Sequence, residues 1–584
     1  MNNVVTDLDQ RRQVISAEGS FIVRAPAGSG KTELLIQRFL HLLSLVDAPE
    51  EIVAITFTRK AAAEMQTRIL KALGSARNET EPEAAHARQT WQLAQAALKR
   101  ASQLDWQLEQ IPARLKIQTI DSLCATLTRQ MPLLSGLGAQ PETVEDATPL
   151  YEQAAINTLS ELESDAHWSD SIARLLIHLD NDLPRIKQLI MNMLGKRDQW
   201  LRHVVPDLQR EELESALQHV IREKLAQLRD LMPAEHETAL CETAAFAALN
   251  LKESSPDHPL THCSFITEYP GTEVEDLPFW QGLCELLLTT NGQWRQKLTI
   301  RNGFPPASSA AKAEKQIRSR MKQQIESLIQ QLEGIPGLSL ALDDIRRLPP
   351  VRYTDEEWDV VGALCNLLML AEGQLRLLFA GSNRTDFAGI AHAAIQALGT
   401  DDAPTDLVLS LDYRIKHLLV DEYQDISVNQ SRLLQGLTAG WSGDDGHSLF
   451  LVGDPMQSIY RFREAEVGIF LDTWKNRQLG QVHLEPVTLR TNFRSQPGLV
   501  EWVNSTFAQL MPAVEDVNTG AVSFETSVAF HNVQPLQSVT VHPSLTSSGV
   551  AEADNLVRQV VEIKNVEPEE SIAVLVRSRR HLLD

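Results

Sequence analysis

The sequence predicts an α/β fold that is built on a parallel β-sheet and carries a phosphate-binding loop. Three observations predict it. Residues 20–24 (SFIVR) form an apolar strand candidate that runs into a glycine-containing turn and then into a helix with apolar residues at helical spacing. Residues 51–57 form a second strand candidate, which precedes an alanine-rich helix from about 60 to 73. Apolar runs at 415–420 and 448–452 are each followed closely by acidic residues, as expected for further strands of one sheet.

Composition narrows the classes of function. The chain has 584 residues and a net charge of −23, which excludes a protein that holds nucleic acid by bulk charge, so a DNA contact requires a local groove. We found no run of about 18 apolar residues and no signal-peptide core, and therefore expect no membrane partner. The five cysteines are scattered without a C-x-x-C pair, so we expect a reducing, cytoplasmic location and neither disulfides nor a zinc site.

The pattern changes in the middle of the chain. From about 147 to 383, amphipathic helical patterns replace the strands, as at Ile186, Ile190 and Leu194, and we interpret this region as a helical insertion. The strand candidates at 415–420 and 448–452 are then read as strands of the first sheet, resumed after the insertion. The sequence also predicts strands at 115–120 and at 571–576 (SIAVLV), the latter buried. The predicted divisions are 1–146, 147–383, 384–486 and 487–584.

The loop after the first strand has the features of a phosphate cradle. Gly28 and Gly30 allow the backbone to curl so that its N–H groups converge on a polyphosphate at the positive end of the following helix. Lys31 is expected to reach the outer phosphates and Thr32 to hold Mg²⁺. The alternative is a chance glycine-rich turn, which requires strand, loop, Lys-Thr and helix to coincide. The predicted cradle comprises Ala25, Pro26, Ala27, Gly28, Ser29, Gly30, Lys31 and Thr32, with Ala25 where the general pattern has its first glycine.

A phosphate cradle of this kind needs a second strand that carries carboxylates. The acidic pair Asp421-Glu422 directly follows the apolar run that ends at Val420. Asp421 is expected at the carboxyl end of that strand, where it can bind Mg²⁺, and Glu422 is expected to orient and deprotonate the attacking water. The alternative is a solvated acidic turn, which is common in a chain with 77 acidic residues.

Seven motifs in order resemble the UvrD/RecB family of superfamily 1 DNA helicases, and most closely the AddA-type subunit of helicase–nuclease repair complexes. The family often has histidine where Asp121 stands. The matching segments are Gln10-Arg11 with Val14 (adenine reading), 25–32 (Walker A), 56–65 (first DNA-contacting motif), 119–124 (the next such motif), 421–425 (DEYQD, Walker B), 452–463 (coupling of ATP to DNA) and 489–495 (opening of the second motor domain).

The resemblance implies roles for individual residues. Gln457 is expected to sense the γ-phosphate, Phe493 to stack on adenine and Arg494 to contact the γ-phosphate, and Gln10 to read the adenine edge. Aromatic stacking on bases tolerates any sequence, which suits a protein that moves along DNA. For Phe57 two interpretations stay open, a DNA contact or a core residue, because a phenylalanine at a strand end is as often part of the core. The implied DNA-binding residues are Phe57, Thr58, Arg59, Thr119, Tyr460, Phe462 and Arg463.

The resemblance also implies a fold and an activity. We expect a RecA-like motor domain at 1–146 and 384–486, the helical insertion at 147–383, and the start of a second RecA-like domain at 487–584. The implied activity is ATP-dependent 3′ to 5′ helicase or translocase action in double-strand-break repair and recombination. ATP and Mg²⁺, single-stranded and duplex-end DNA, and a partner subunit of the AddB type are implied with it. The family's last two motifs and its nuclease domain are expected to be missing, so no nuclease activity is assigned.

Three alternatives remain open at this point. The chain is either a portion of a longer helicase or a short form that binds without translocating. A non-motor ATP- and DNA-binding scaffold is the competing function, and a small-molecule kinase explains less because it leaves Gln424 without a role. A basic cluster in the insertion is either a grip for duplex DNA or a solvated helix face, and it comprises Lys312, Lys315, Arg318, Arg320 and Lys322.

Overall fold

The chain divides into two compact units. One, here the sheet unit, comprises Met1–Glu145 and Asn383–Asp584, and the other, the helical unit, comprises Asp146–Ser382. The computed structural model describes residues 5–78, 80–132, 134, 141–164, 168–201, 204, 209–307, 312–400, 403–412, 414–443, 445–459, 466–517, 519–532, 538–543, 549–566, 568–569 and 571–576.

The first part of the sheet unit alternates strands and helices: α1 (Leu8–Ile15), β1 (Phe21–Arg24), α2 (Lys31–Leu43), β2 (Ile52–Thr56), α3 (Arg59–Asn78), α4 (Ala85–Gln103), β3 (Lys116–Thr119), α5 (Ile120–Gln130) and β4 (Glu142–Thr143). The α-helices of the helical unit follow: α6 (Thr148–Ser160), α7 (Trp168–His178), α8 (Leu183–Gly195), α9 (Arg197–Trp200), α10 (Arg210–Leu231), α11 (Glu237–Leu251), α12 (Leu277–Leu287), α13 (Lys312–Glu333), α14 (Leu338–Arg346) and α15 (Asp355–Ser382).

The chain then returns to the sheet unit: β5 (Arg384–Thr385), α16 (Phe387–Leu398), β6 (Gly399–Thr400), β7 (Ala403–Pro404), α17 (Asp406–Asp412), β8 (His417–Val420), α18 (Val428–Leu437), β9 (Ser448–Gly453), α19 (Val467–Asn476), β10 (Gln478–Leu479), β11 (Val482–His483), β12 (Glu485–Thr488), β13 (Thr491–Asn492), α20 (Pro497–Leu510), β14 (Val528–Ala529) and α21 (Gly549–Val566). Short 3-10 turns at Tyr423–Asp425 and Pro455–Gln457 follow β8 and β9.

The centre of the sheet unit is a parallel sheet of six described strands in the order β12-β1-β9-β8-β2-β3. Because all these strands run in the same direction, their carboxyl ends lie along one edge of the sheet. In register, Arg24 of β1 is opposite Gly453 of β9, and Val420 of β8 is opposite Ile55 of β2. The loops that follow these strands therefore share one edge, as in other open α/β sheets that bind ligands.

Both faces of the sheet are covered, which explains why its strands are apolar throughout. On β1, Phe21 and Val23 belong to the apolar cluster that includes α2, α3 and α4, whereas Ile22 belongs to the cluster that includes α5, α16 and α18. The same alternation occurs on β9, where Phe450 and Leu451 face opposite sides. Successive side chains of a strand point to opposite faces, so a strand buried on both sides requires a continuous apolar run.

The predicted α/β class with a central parallel sheet is confirmed, and so are the strands expected near 20–24, 51–57, 115–120, 415–420 and 448–452. The boundary predicted between residues 486 and 487 falls inside β12, whose Val487 pairs with Val23 of β1. This strand is therefore part of the same sheet as β1, which precedes the predicted phosphate-binding loop.

The buried strand predicted at 571–576 is wrong. These residues have no regular secondary structure and are exposed, with Leu575 95% exposed. An apolar run becomes a buried strand only where neighbouring strands supply hydrogen-bond partners, and among the described residues none pairs with this segment.

The described residues of the helical unit form two apolar cores. One is formed mainly by α10 to α14 around Trp280, and the other by α6, α7, α8 and α15 around Leu367 and Leu375. By length and composition alone, α15 is apolar enough to cross a membrane, with 33% of its most apolar window buried in the unit. A core helix passes the same test, and one such helix is weak evidence for a membrane span.

The basic cluster predicted on the insertion lies largely on α13, and several of its charges are paired with acids. Arg318 Nη2 lies 2.5 Å from Glu314 Oε1, and Arg320 Nη2 lies 3.5 Å from Glu242 Oε2. Lys322 Nζ lies 3.9 Å from Glu326 Oε1. This pairing favours a solvated helix face over a grip for duplex DNA, because a paired cation contributes less net charge toward phosphates. The side chain of Lys312 lies outside the described residues.

A buried arginine connects α2 to the sheet. Arg38 is fully buried, donates to the carbonyl oxygens of Val14 and Ser16, and lies over the neighbouring rings of Phe21 and Phe450. Its Nη2 donates to Ser448 Oγ at 3.2 Å, and that oxygen lies 2.9 Å from His417 Nδ1. Because Arg38 already donates to the oxygen, the hydroxyl hydrogen can be donated to a neutral imidazole.

This environment opposes protonation of His417. Burial, reinforced by the positive charge of Arg38, lowers the pKa of His417 to about 3, and His447, Lys416 and His41 act in the same direction. In the unfolded chain a histidine has a pKa of about 6.5. Below that pH the unfolded state takes up a proton that the folded state excludes, so His417 makes the protein less stable as the pH falls.

We expect the replacement His417→Asn to reduce this loss of stability. From pH 7.5 to pH 5.0, the free energy of unfolding of the wild-type chain should fall by about 2 kcal/mol more than that of the variant. The measurement is the urea midpoint of the tryptophan fluorescence change at each pH. The matched control is His219→Asn, whose histidine side chain is 74% exposed and which should keep the wild-type pH slope. Equal slopes for the wild type and His417→Asn would contradict the assignment.

Candidate nucleotide-binding site

The loop between β1 and α2 has the backbone of a phosphate cradle. Gly28 and Gly30 have φ values of 82° and 77°, in the left-handed region that glycine adopts most easily. The N–H of Ala25 donates to the Gly453 carbonyl at 2.9 Å, which ties the start of the loop to β9. A Cβ on Gly28 would lie 2.6 Å from Asn492 Oδ1, so this position excludes side chains for steric as well as conformational reasons.

The first turn of α2 completes the cradle. The helix begins at Lys31, so the N–H groups of its first turn have no acceptor within the helix and lie at the positive end of its dipole. Thr32 is half-buried in this turn. The arrangement fits a polyphosphate, since oriented N–H groups and the Lys31 ammonium provide complementary charge.

The acidic pair lies against this lysine. Lys31 Nζ is 2.6 Å from Glu422 Oε2 and 3.9 Å from Asp421 Oδ1. Glu422 has a φ of 53°, in the left-handed region, which for a residue with a side chain costs about 1–3 kcal/mol. This conformation makes the chain turn sharply after β8. The structure thus brings together Lys31, Asp421 and Glu422, as the sequence predicted.

Burial changes the acidity of three carboxyl groups here. It raises the pKa of Asp421 to about 6, although the nearby Lys31 acts in the opposite direction. It also raises the pKa of Asp425 to about 6, with Glu422 contributing, and it raises the pKa of Asp454. Carboxylates that are costly to ionise gain stability from an added cation.

The residues present fit Mg²⁺ through their chemistry. The Asp421 carboxylate and the Thr32 hydroxyl are oxygen ligands of the kind that Mg²⁺ prefers. Within the described part of the chain, no three His, Cys, Asp or Glu side chains form a group able to hold a metal by themselves. Such a site is therefore expected to bind Mg²⁺ together with phosphate oxygens and water.

A relay of hydrogen bonds runs from Glu422 to the turn after β9. Gln424 Nε2 donates to Glu422 Oε2 at 2.7 Å, and Gln424 Oε1 accepts the Asp454 N–H at 2.9 Å. Asp454 Oδ2 then accepts from Gln457 Nε2 at 2.5 Å. The predicted γ-phosphate sensor, Gln457, is thus connected to the predicted base, Glu422.

Segment 490–494 packs on the phosphate loop from the other side. Asn492 Nδ2 donates to the Ala27 carbonyl at 3.1 Å, and the Phe493 N–H donates to the Gly28 carbonyl at 2.8 Å. The Cβ of Arg494 would lie 2.9 Å from a Cβ built on Gly28. Phe493 and Arg494 therefore lie at the loop, next to the phosphate cradle.

This segment is held in place by Asp7, directly before helix α1, and by Arg11 within the helix. Sequence reasoning named Arg11 as part of the adenine-reading motif but missed Asp7. Asp7 is 3% exposed and accepts the N–H groups of Arg490 and Thr491 at 2.7 and 2.9 Å. It also pairs with Arg11, whose Nη2 donates to the Ser29 carbonyl at 2.7 Å and whose guanidinium lies 5.0 Å from the Phe493 ring centroid. Gln10, the predicted adenine reader, lies exposed on the same helix. The sequence analysis predicted no helix at 8–15, and the one hint it contained was the residue type of Asp7, since aspartate is common just before a helix.

The predicted DNA-binding residues have different placements. Phe57 is partly buried, and Thr58 and Arg59 are exposed at the carboxyl end of β2. Thr119 is 5% exposed and its hydroxyl caps α5 by accepting the Ser122 N–H, which favours a structural role for this side chain. The remaining three predicted contacts lie outside the described residues: Tyr460, Phe462 and Arg463.

Comparison with known proteins identifies the family. Residues 6–478, more than half of the chain, match the model of the UvrD/REP helicase N-terminal domain. This chain belongs to the UvrD/REP helicase family. The match begins at α1, contains β1, β2, β3, β8 and β9 of the parallel sheet and ends after α19, so it includes the phosphate loop, the acidic pair and Gln457.

Curated relatives of this UvrD/REP chain are longer. The chain is 25% identical over 595 residues to the ATP-dependent helicase/nuclease subunit of the A type from Lysinibacillus sphaericus, with 96% of this chain and 44% of the relative covered. It is 26% identical over 550 residues to the protein of the same name from Desulfitobacterium hafniense, with 86% and 36% covered. The chain thus spans less than half the length of these relatives, and the AddA-type resemblance found in the sequence is supported.

The buried contacts of Asp7 predict a measurable effect. We expect Asp7→Asn to lower the stability of the sheet unit by about 1.5–3 kcal/mol, since it removes a charged acceptor of buried N–H groups. It should also weaken binding of a fluorescent ATP analogue. Without the Asp7 carboxylate, Arg11 is no longer held in its contacts with the Ser29 carbonyl and the Phe493 ring. Urea midpoints and titration of the analogue measure the two effects. Asp9→Asn, on an aspartate whose side chain is 95% exposed, should change neither, and equal behaviour of the two variants would refute the role.

Proposed function

We propose that this chain is the ATP-driven motor portion of a DNA helicase or translocase that acts in double-strand-break repair and recombination. The observation that carries the proposal is the continuous set of contacts from Lys31 through Glu422 and Gln424 to Asp454 and Gln457. These contacts connect the phosphate loop to the stretch that immediately precedes the predicted DNA-binding residues. A motor needs such a connection, because a structural change at the triphosphate must alter the contacts with the DNA bases.

Each group has a defined task in ATP hydrolysis. The loop N–H groups and Lys31 hold the β- and γ-phosphates and stabilise the charge that develops on them. Asp421 and Thr32 would hold Mg²⁺, and the ion would supply positive charge that neutralises the phosphates. Glu422 orients the attacking water and accepts its proton. Since Lys31 pairs with Glu422, we propose that ATP binding draws the ammonium to the phosphates and frees the carboxylate for this task.

DNA binding is proposed for the same edge of the sheet. Thr58 and Arg59 are exposed there, at the end of β2 and the start of α3. Single-stranded and duplex-end DNA are the proposed substrates, with movement in the 3′ to 5′ direction. Opening one base pair costs on the order of 1.4 kcal/mol, which is small beside the free energy of one ATP. Coupling between the two sites therefore decides whether unwinding occurs.

A partner and a location are proposed as well. Curated relatives carry the word "subunit" in their names, which supports a partner, and we propose one of the AddB type. All five cysteines are free thiols, and four of them are buried, where their pKa values are raised by burial. Stable thiols of this kind suit a reducing compartment, and we propose the cytoplasm.

The proposal predicts that Lys31→Ala abolishes ATP hydrolysis stimulated by single-stranded DNA. Without the ammonium, the outer phosphates lose their main positive contact, and kcat should fall by about 10²-fold or more. The measurement is phosphate release with and without single-stranded DNA, compared with Lys475→Ala, which removes an exposed lysine on α19. ATP binding by the wild type without DNA-stimulated hydrolysis would favour the non-motor scaffold instead.

The direction of movement is tested with tailed duplexes. We expect the helicase that contains this motor portion to displace the strand of a duplex that carries a single-stranded 3′ tail and to leave a 5′-tailed duplex intact, with ATP and Mg²⁺ present. Displacement is followed by the fluorescence of a labelled strand, and Lys31→Ala is the inactive control. Preference for the 5′-tailed duplex would contradict the proposed direction.

A further inference from the structure

The side chain of Gln424 has an unusual position. It is 1% exposed and lies among three acidic residues, Glu422, Asp425 and Asp454. Its Nε2 donates to Glu422 Oε2 at 2.7 Å and to Asp425 Oδ2 at 3.1 Å, so both amide hydrogens have acceptors. Its Oε1 accepts the Asp454 N–H at 2.9 Å. A buried amide with all of these bonds is held in one orientation.

The end of β9 and the segment that follows it each approach the same residue at one further point. Ser458 Oγ donates to the Gln424 carbonyl at 3.3 Å. A Cβ on Gly453 would overlap Gln424 Oε1, so the backbone of β9 approaches the amide as closely as a glycine permits. Residues 453–458 therefore rest on Gln424, both through its side chain and through its main chain.

We propose that Gln424 is a positioning residue that couples the Glu422 carboxylate to the Asp454–Ser458 segment, so that ATP hydrolysis responds to DNA. This inference rests on the proposed function and deepens it. Gln424 hydrogen bonds to Glu422, Asp425 and Asp454, and among the described residues its hydrogen bonds do not include Lys31 or the phosphate loop, so it acts through these neighbours. When Glu422 exchanges Lys31 for a water molecule, the amide transmits its displacement to Asp454 and to Gln457, which hydrogen bonds to Asp454.

The position requires an amide for a chemical reason. It must donate to two carboxylates on one side and accept a backbone N–H on the other, and a single amide group does both. An ionised carboxyl accepts but does not donate, and a thioether does neither well. Substitutions of similar size can therefore separate the hydrogen bonds from the packing.

The experiment compares Gln424→Met and Gln424→Glu with the wild type in ATP hydrolysis with and without single-stranded DNA. For Gln424→Met we expect kcat with DNA to fall about 10- to 100-fold and the stimulation by DNA to be lost. KM for ATP should stay within about twofold of the wild type, because the phosphate contacts remain. Gly453→Ala, which pushes on the amide oxygen from β9, should show the same loss of stimulation without altering any carboxylate.

The pH profile distinguishes coupling from a purely structural role. At pH 8 the carboxyl introduced by Gln424→Glu repels Glu422 and Asp425, whereas after protonation it can donate one hydrogen bond and still accept the Asp454 N–H. The ratio of the DNA stimulation of Gln424→Glu to that of the wild type should therefore rise as the pH falls from 8 to 6. A ratio independent of pH would overturn the inference. Gln435→Glu adds the same charge at an exposed site on α18 and should behave as the wild type.

The failure of this inference and that of the proposed function are distinguishable. If the wild type shows no hydrolysis stimulated by DNA, the proposed function is overturned, and there is then no coupling for Gln424 to mediate. If the wild type is stimulated and Gln424→Met and Gly453→Ala keep the stimulation ratio, Gln424 is not the coupling residue and the proposed function stands. Urea midpoints identify a variant that has lost activity because it is unfolded. In that case Gln424→Glu decides whether Gln424 is the coupling residue, because its stimulation by DNA can recover at low pH only if the variant is folded.

Discussion

The whole site depends on the parallel register of β1, β9 and β8. These strands are neighbours that run in the same direction, so the loops that leave them meet at one edge. The phosphate loop, the turn with Gln457 and the acidic pair each follow one of these strands. Each loop carries only one group of the site residues, so the site needs all three loops. A strand out of register would separate Lys31 from Glu422.

Several residues of the site have conformations or charges that are unfavourable in free energy. Glu422 has a left-handed backbone, Gly28 and Gly30 have positive φ, and Asp421 is ionised at a cost that burial imposes. Lys31 offsets part of this cost through its contacts with Asp421 and Glu422. A bound nucleotide with a metal ion would bring both an anion for Lys31 and a cation for the carboxylates. This arrangement permits the exchange of partners that the proposed motor requires.

Contacts between distant parts of the sequence hold the site together. Asp7 and Thr491 are 484 positions apart and hydrogen bond directly, and Arg24 pairs with Glu515 across 491 positions. The 146–382 insertion forms its own cores, so it interrupts the sequence of the sheet unit without interrupting its packing. Folding of the sheet unit must therefore bring β1 and β2 together with strands made several hundred residues later, which is a costly loop closure.

The sequence by itself determined the features that depend on neighbouring residues. The β1–loop–α2 unit, the loop with Gly28, Gly30 and Lys31, and the apolar strands before Asp421 and Gly453 are local patterns, and the structure contains them. Only the tertiary structure decided the roles of Asp7 and Gln424, because a buried hydrogen-bond partner far along the chain, such as Thr491 for Asp7 or Asp454 for Gln424, leaves no trace in local spacing. The same reason explains 571–576: its residues have the pattern of a buried strand, but burial depends on neighbouring strands, which no local pattern specifies.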